Sequence, residues 1–263
     1  MNATKAKRHR KTKIIVVINQ KGGAGKTTVS FHLAHAAAEN ESARVLCLDM
    51  DSQGNFSQYL TGDLDIVSRT AGGVGDLFDG SELKPEPTTH QQIDLLHGHM
   101  ELDRYDFDED AEGRAYSSEL PEQLRGLGYD YIIIDTPPAV GLRHLAPLAW
   151  ADVAVIPLEP AVSGITGFQN VLNAIEKSIK ALNPGLKWVG VMNRANMRVS
   201  THREKDAFMR DTYGKSILAT LSTRTAVADA MEQTPAKPVW RLRAAPRELR
   251  QQWLDFCNAV IDK

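Results

Sequence analysis

Between the apolar run at 14–18 and a helical pattern opening at Thr27, the chain reads Asn19-Gln20-Lys21-Gly22-Gly23-Ala24-Gly25-Lys26-Thr27-Thr28. So many glycines together suit neither a strand nor a helix, and they mark a tight loop joining the two. Further strand-like runs at 44–49, 93–96, 131–135, 153–157, 188–192 and 217–221 alternate with helical patterns near 114–126, 163–182, 202–212, 224–232 and 246–261. Such alternation specifies an α/β fold. The strands are nearly continuous in Ile and Val, so both sheet faces are covered. The expected architecture is a doubly wound, mostly parallel sheet with helices on both faces. It forms a single domain over 14–263, preceded by a basic flexible tail over 1–13. Segments 61–80 and 81–90 read as loops, and 101–112, with seven acids and one arginine, reads as a solvated surface segment.

Charge is distributed unevenly. The net charge is −2, yet 5–13 holds six Lys/Arg and no acid, leaving −8 for the remainder. The tail is either a solvated terminus or a non-specific grip on phosphate backbones. No apolar run approaches the ~20 residues of a membrane span, and the two cysteines, Cys47 and Cys257, are expected in the core of a cytoplasmic protein. The pattern at 246–261 puts Leu249, Trp253, Phe256, Cys257 and Val260 on one face, which is expected to dock on the sheet instead of a membrane.

A glycine loop between strand and helix lets backbone N–H groups surround a phosphate chain, assisted by the helix N-terminus. Gly22, Gly23, Ala24, Gly25, Lys26, Thr27 and Thr28 are the candidate nucleotide-binding residues. Lys26 supplies charge to the β/γ-phosphates of ATP, and the Thr27 hydroxyl can ligate Mg²⁺. The usual G-x-x-x-x-G-K-[ST] pattern wants glycine where Gln20 stands. This variant resembles the deviant Walker A box of the ParA/MinD ATPases. The resemblance implies that Lys21 crosses an ATP-dependent homodimer to the partner's phosphates, where a cation supplied in trans couples hydrolysis to dimerisation.

Two further boxes resemble the same group. Residues 49–55, Asp49-Met50-Asp51-Ser52-Gln53-Gly54-Asn55, follow its D-x-D-P-Q-G-N pattern with Ser52 in place of proline. By resemblance Asp51 organises the attacking water and Asp49 lies nearer the metal; read alone, Asp49 could equally cap the following turn. Asp135, ending the run 131–135, matches a Walker B aspartate that holds Mg²⁺. Asn193 matches the position that recognises adenine, and 238–246 falls where the group closes over the base.

Together these boxes liken residues 14–261 to small ParA/Soj partition ATPases without an N-terminal helix-turn-helix domain. The resemblance implies a slow, partner-stimulated ATPase that is nucleoid-associated. Its ATP dimer binds double-stranded DNA non-specifically and is released on hydrolysis stimulated by a ParB-like protein. Residues 194–250 carry 12 Lys/Arg against six Asp/Glu. The DNA candidates there are Arg194, Arg198, Arg203, Arg224, Arg241, Arg243, Arg247 and Arg250. A MinD-like switch acting at a membrane or positioning a protein assembly is the alternative. An iron protein would need cluster-ligating cysteines, and a ligase a second substrate box.

Overall fold

The computed structural model describes residues 11–39 and 42–263. In chain order the elements are β1 (Lys13–Val17), α1 (Lys26–Ala38), β2 (Val45–Asp49), α2 (Asn55–Thr61), α3 (Gly75–Asp79), β3 (Glu86–Pro87), β4 (Ile93–Leu96), α4 (Glu109–Ala115), α5 (Glu119–Gly126) and β5 (Tyr131–Asp135). There follow α6 (Leu142–Trp150), β6 (Val153–Leu158), α7 (Val162–Ala174), β7 (Lys187–Ala195), α8 (Ser200–Tyr213), β8 (Ile217–Ser222), α9 (Thr225–Met231) and α10 (Arg247–Ile261). All strands join one sheet in the order β3-β4-β2-β5-β1-β6-β7-β8. Every pairing is parallel except that of the two-residue β3 with β4. This is the expected doubly wound α/β fold.

Alternate residues of each central strand enter opposite cores. Ile14, Val16 and Ile18 of the first strand region pack with Ile132 and Ile134 on the side of α6 and α7, while Ile15 and Val17 pack with Ile133 on the side of α1 and α10. Both faces are dry, which explains strands without polar alternation. The amphipathic α10 docks Leu249, Trp253, Phe256, Cys257 and Val260 against α1 and the sheet, as expected. Among the described residues no helix is long and apolar enough to cross a membrane.

Several local expectations change. Residues 5–10 of the basic run lie outside the described residues. The folded body begins before residue 14: Thr12 is buried and its hydroxyl donates to the Tyr129 carbonyl at 2.6 Å, and Lys13 donates to the Ile261 carbonyl at 2.6 Å. The single helix read at 114–126 is two, α4 and α5. The expected loop at 61–80 contains α3, and α6 was not read because Pro147 interrupts its pattern. The acidic stretch at 101–112 is only partly a solvated surface. Its 3₁₀ turn at 102–107 buries Leu102 and Tyr105, and Asp103 and Asp106 hold the buried Arg143 at 2.7 Å each.

His32 ties α1 to the segment before α10. Its Nε2 accepts from the Val239 amide at 3.0 Å, so Nδ1 carries the proton donated to the Thr28 carbonyl at 2.7 Å. Burial lowers its pKa to about 4, against a smaller opposing effect of the Thr28 bond. A depressed histidine pKa gives stability that is complete above the unfolded value near ~6.5 and is lost as pH falls. His32→Phe strands the Val239 amide and is expected to cost ~1–3 kcal/mol at about pH 7. That deficit should shrink by about 2 kcal/mol at about pH 5, where only the wild type carries the penalty. Urea unfolding of both proteins checks this, and a deficit independent of pH would refute it.

Candidate functional site

The loop after β1 is held at both ends. Asn19, fully buried, donates to the Pro157 carbonyl in the neighbouring strand β6 at 2.7 Å and accepts from the Lys21 amide at 2.9 Å. At the other end Asn193 donates to the Ala24 carbonyl at 2.9 Å. Gly25 caps α1 at φ +88°, a left-handed conformation unfavourable for side chains, and a Cβ there would collide with the Asn193 amide. Gly22 and Gly23 form the exposed crest, leaving backbone N–H groups free to approach an anion.

Lys26 is buried at the start of α1, with Nζ 3.5 Å from the Lys21 carbonyl. Burial lowers its pKa, while Asp135 and Asp51 act to raise it. Thr27 donates to Asp135 Oδ2 at 2.7 Å and Ser30 to Oδ1 at 2.8 Å. Ser30 went unnoticed in the sequence, although three residues beyond Thr27 it necessarily shares that helix face. Burial pushes Asp135 up to about 6, against these two hydroxyls and Lys26. Hydroxyl and carboxylate oxygens form a hard donor set that suits Mg²⁺ together with phosphate and water ligands.

The two acids of the second box have different surroundings. Asp49 is buried; Oδ2 accepts from the Ser57 amide at 2.8 Å and hydroxyl at 2.7 Å, and Oδ1 from the Asp51 amide at 3.1 Å. Both oxygens are thus occupied by the protein. Burial, then the charge of Asp135, raises its pKa to about 7. These hydrogen bonds are those of a capping acid, the reading that the residues alone gave for Asp49. Asp51 is half-buried, accepts only the Gln53 amide at 3.0 Å through Oδ1, and opens onto the phosphate cleft. Arg143, missed in the sequence, donates to the carbonyl of intervening Met50 at 2.9 Å.

Gly25, Lys26, Thr27, Asp51, Tyr59 and Arg194 line a cleft of about 270 Å³. A neighbouring cavity of about 470 Å³ shares Thr28, Tyr59 and Arg194 with it and adds Asn193, Arg224 and Trp253. The expected base-closing segment 238–246 does not line this cavity; residues 222–232 do. Val239 is held by His32, and Trp240 and Arg241 by Glu39 at 2.9 and 3.0 Å, so this segment packs on α1 instead.

The eight candidate arginines do not form one patch. Arg194 lies at the phosphate cleft and bonds Glu159 at 3.3 Å, and Arg224 lies at the neighbouring cavity. Arg198 and Arg203 are exposed at the start of α8, which packs on the face of α7. Arg241, Arg243, Arg247 and the half-buried Arg250 belong to the opposite face with α10. The sheet lies between these two groups. Lys21 is not among the residues lining the cleft, and its Nζ pairs with Glu159 Oε2 at 2.6 Å.

The profile of the AAA domain family matches residues 12–188. Chromosome partitioning protein ParA of Myxococcus xanthus is 35% identical over 199 residues, covering 70% of this chain and 67% of that protein. Sporulation initiation inhibitor protein Soj of Bacillus subtilis is 30% identical over 215 residues, covering 78% and 83%. In fold, the chain is similar to the ATP complex of Cyanothece McdA carrying an Asp-to-Ala substitution. The TM-score is 0.80 at 21% identity, over 96% of this chain and 97% of that one.

Gly25→Ala is expected to destabilise the fold by ~2 kcal/mol or more, combining the left-handed backbone with the collision on Asn193. Adding Asn193→Ala should recover ~1 kcal/mol by opening space, a coupling visible in a double-mutant cycle. Strict additivity of the two changes would show that the collision is not felt.

Proposed function

The chain belongs to the AAA domain family of ParA/Soj-type partition ATPases, and on that premise we propose that it is a DNA-segregation switch driven by a slow cycle of ATP binding and hydrolysis. The observation that carries the proposal is a cleft beneath a glycine crest lined by Lys26, Thr27 and Asp51, with the buried Asp135 behind it bonded to the Thr27 hydroxyl. In this reading the loop amides and Lys26 bind the phosphates, and the cavity bordered by Asn193 takes the adenine. Thr27 and Asp135 hold Mg²⁺, which neutralises phosphate charge when bound. Asp51 orients the attacking water through the oxygen it does not use on Gln53. Asp49 fixes the Asp51 loop by binding the Asp51 amide and Ser57.

ATP closes two copies into a dimer in which each Lys21 meets the other copy's phosphates. The dimer then holds duplex DNA through accumulated positive charge, and a ParB-like partner on the cargo stimulates hydrolysis and release. For DNA the reading favours the solvent-facing Arg198, Arg203, Arg241, Arg243 and Arg247 and the half-buried Arg250; Arg194 and Arg224 belong to the nucleotide side. Phosphate contacts of this kind need no base recognition, and they weaken steeply with salt.

ATP with Mg²⁺ should therefore promote both dimerisation and retention on arbitrary duplex DNA at moderate salt, measured by sedimentation and by DNA-coated sensor surfaces. If ATP promoted neither, the reading would lose its central step; ATP-dependent co-sedimentation with vesicles would favour the membrane alternative. Lys26→Ala should abolish nucleotide binding. Asp51→Ala should preserve a long-lived ATP dimer while lowering turnover by on the order of 10²-fold, the scale of a lost acid–base or water-orienting group. Metal-dependent nucleotide affinity should fall as pH drops through about 6, where Asp135 takes up a proton and ceases to be a metal ligand; titrations at several pH values read this directly.

A further inference from the structure

Glu159, one residue beyond β6, stands between two cations from distant parts of the chain. Its Oε2 accepts from Lys21 at 2.6 Å and its Oε1 from Arg194 at 3.3 Å, so each oxygen serves one partner. Side-chain exposures of 26% for Lys21 and 23% for Glu159 distinguish this pair from a freely solvated surface bridge.

The backbone brings all three residues to this place. Asn19 ties the chain just before Lys21 to Pro157, two residues before Glu159. A Cβ on Gly164 would press against the Glu159 backbone, so the turn into α7 is closely packed around it. Arg194 has φ +54°, the one positive φ outside glycine among the described residues, and its amide donates to Asn193 Oδ1 at 2.9 Å. A strained non-glycine residue at a ligand cleft persists where its surroundings over-determine it. The three-residue ion cluster is therefore built from fixed backbone positions.

We propose that Glu159 is an internal restraint on the switch, a positioning residue that holds Lys21 folded back on its own subunit until a second copy's nucleotide competes for it. This rests on the reading of Lys21 as a cation supplied across the dimer. A lysine bonded at 2.6 Å to its own subunit cannot simultaneously serve a partner's phosphates, so dimer closure must break the pair. Arg194 stays beside Glu159 when Lys21 leaves, and so the carboxylate is not left without a countercharge. The ion pair thereby opposes closure of the dimer and keeps basal turnover low.

The test compares wild type with Glu159→Gln, measuring binding of a fluorescent ATP analogue, the ATP-dependent dimer constant by sedimentation, and basal ATP turnover. Glu159→Gln should tighten the dimer and raise basal turnover by about 3- to 10-fold, the scale of a partly screened ion pair. The gain should narrow as salt rises, which a merely structural role for Glu159 would not produce, and should be absent in a Lys21→Ala background. Glu159→Asp, which keeps the charge but withdraws it by one methylene, should give a smaller change of the same sign and guards against misfolding of the amide variant. If the folded Glu159→Gln protein dimerises no more tightly than a wild type that does respond to ATP, or if its gain persists without Lys21, the restraint is overturned. Failure of both proteins to bind the ATP analogue would instead overturn the ATPase reading beneath it.

Discussion

The parallel pairing of β1 with β5 on one side and β6 on the other is the constraint on which the site depends. Its register sets Val17 beside Asp135 and beside Val155. Three segments thus reach the same sheet edge at the point where the strand order reverses, the position at which open α/β sheets bind ligands. The glycine loop leaves β1, the metal-suited acid ends β5, and Glu159 follows β6. No local propensity could assemble these groups, the loop lying more than a hundred residues before the other two; the buried Ile and Val of three adjacent strands do so by packing both faces of the sheet.

Burial at this edge creates an electrostatic tension. Asp49 and Asp135 are neighbours on β2 and β5, and burial raises both pKa values, to about 7 and about 6. An acid with a raised folded pKa gives stability that is fully present below its unfolded value and lost as pH rises through the folded value. Around neutrality the ionised pair therefore opposes folding, whereas the buried His32 favours it there. Hydroxyls from Thr27, Ser30 and Ser57 and the ammonium of Lys26 moderate the cost for the two acids. A divalent cation beside Asp135 would relieve it further, because a nearby positive charge favours the ionised form.

The readable parts of the sequence were those whose signal is local. Glycines at 22, 23 and 25, the acids that end the runs at 44–49 and 131–135, and the docking face of α10 all announce themselves within a few residues. Ser30 was legible in principle from helical spacing. Glu159 and Arg143 were not, because each acts on a partner reached only through tertiary packing: Lys21 from the adjacent strand edge and Met50 across the loop. Charge counts misled in two places for a related reason. The arginines of 194–250 summed to a basic segment but were divided by the sheet, and the acids of 101–112 suggested solvent when two of them hold a buried guanidinium.

That guanidinium shows how the fold joins the nucleotide edge to more distant surface. Arg143 is nearly fully buried, and its amide at the start of α6 donates to Asp106 Oδ1 at 3.0 Å while its side chain bonds Asp103, Asp106 and the Met50 carbonyl. A Cβ on Gly141 would strike the Asp106 carboxylate, so this approach requires glycine at the entrance to α6. A buried cation without its acids would carry a desolvation penalty of several kcal/mol, so the 3₁₀ turn, the helix after Asp135 and the loop before Asp51 must adopt their positions together. Asp51 is consequently fixed from two directions: its amide by Asp49, and the preceding carbonyl by Arg143. With its Oδ1 committed to Gln53, Asp51 is thus held at the cleft by its own backbone, and this pair of anchors supplies the rigidity that a precisely placed side chain needs.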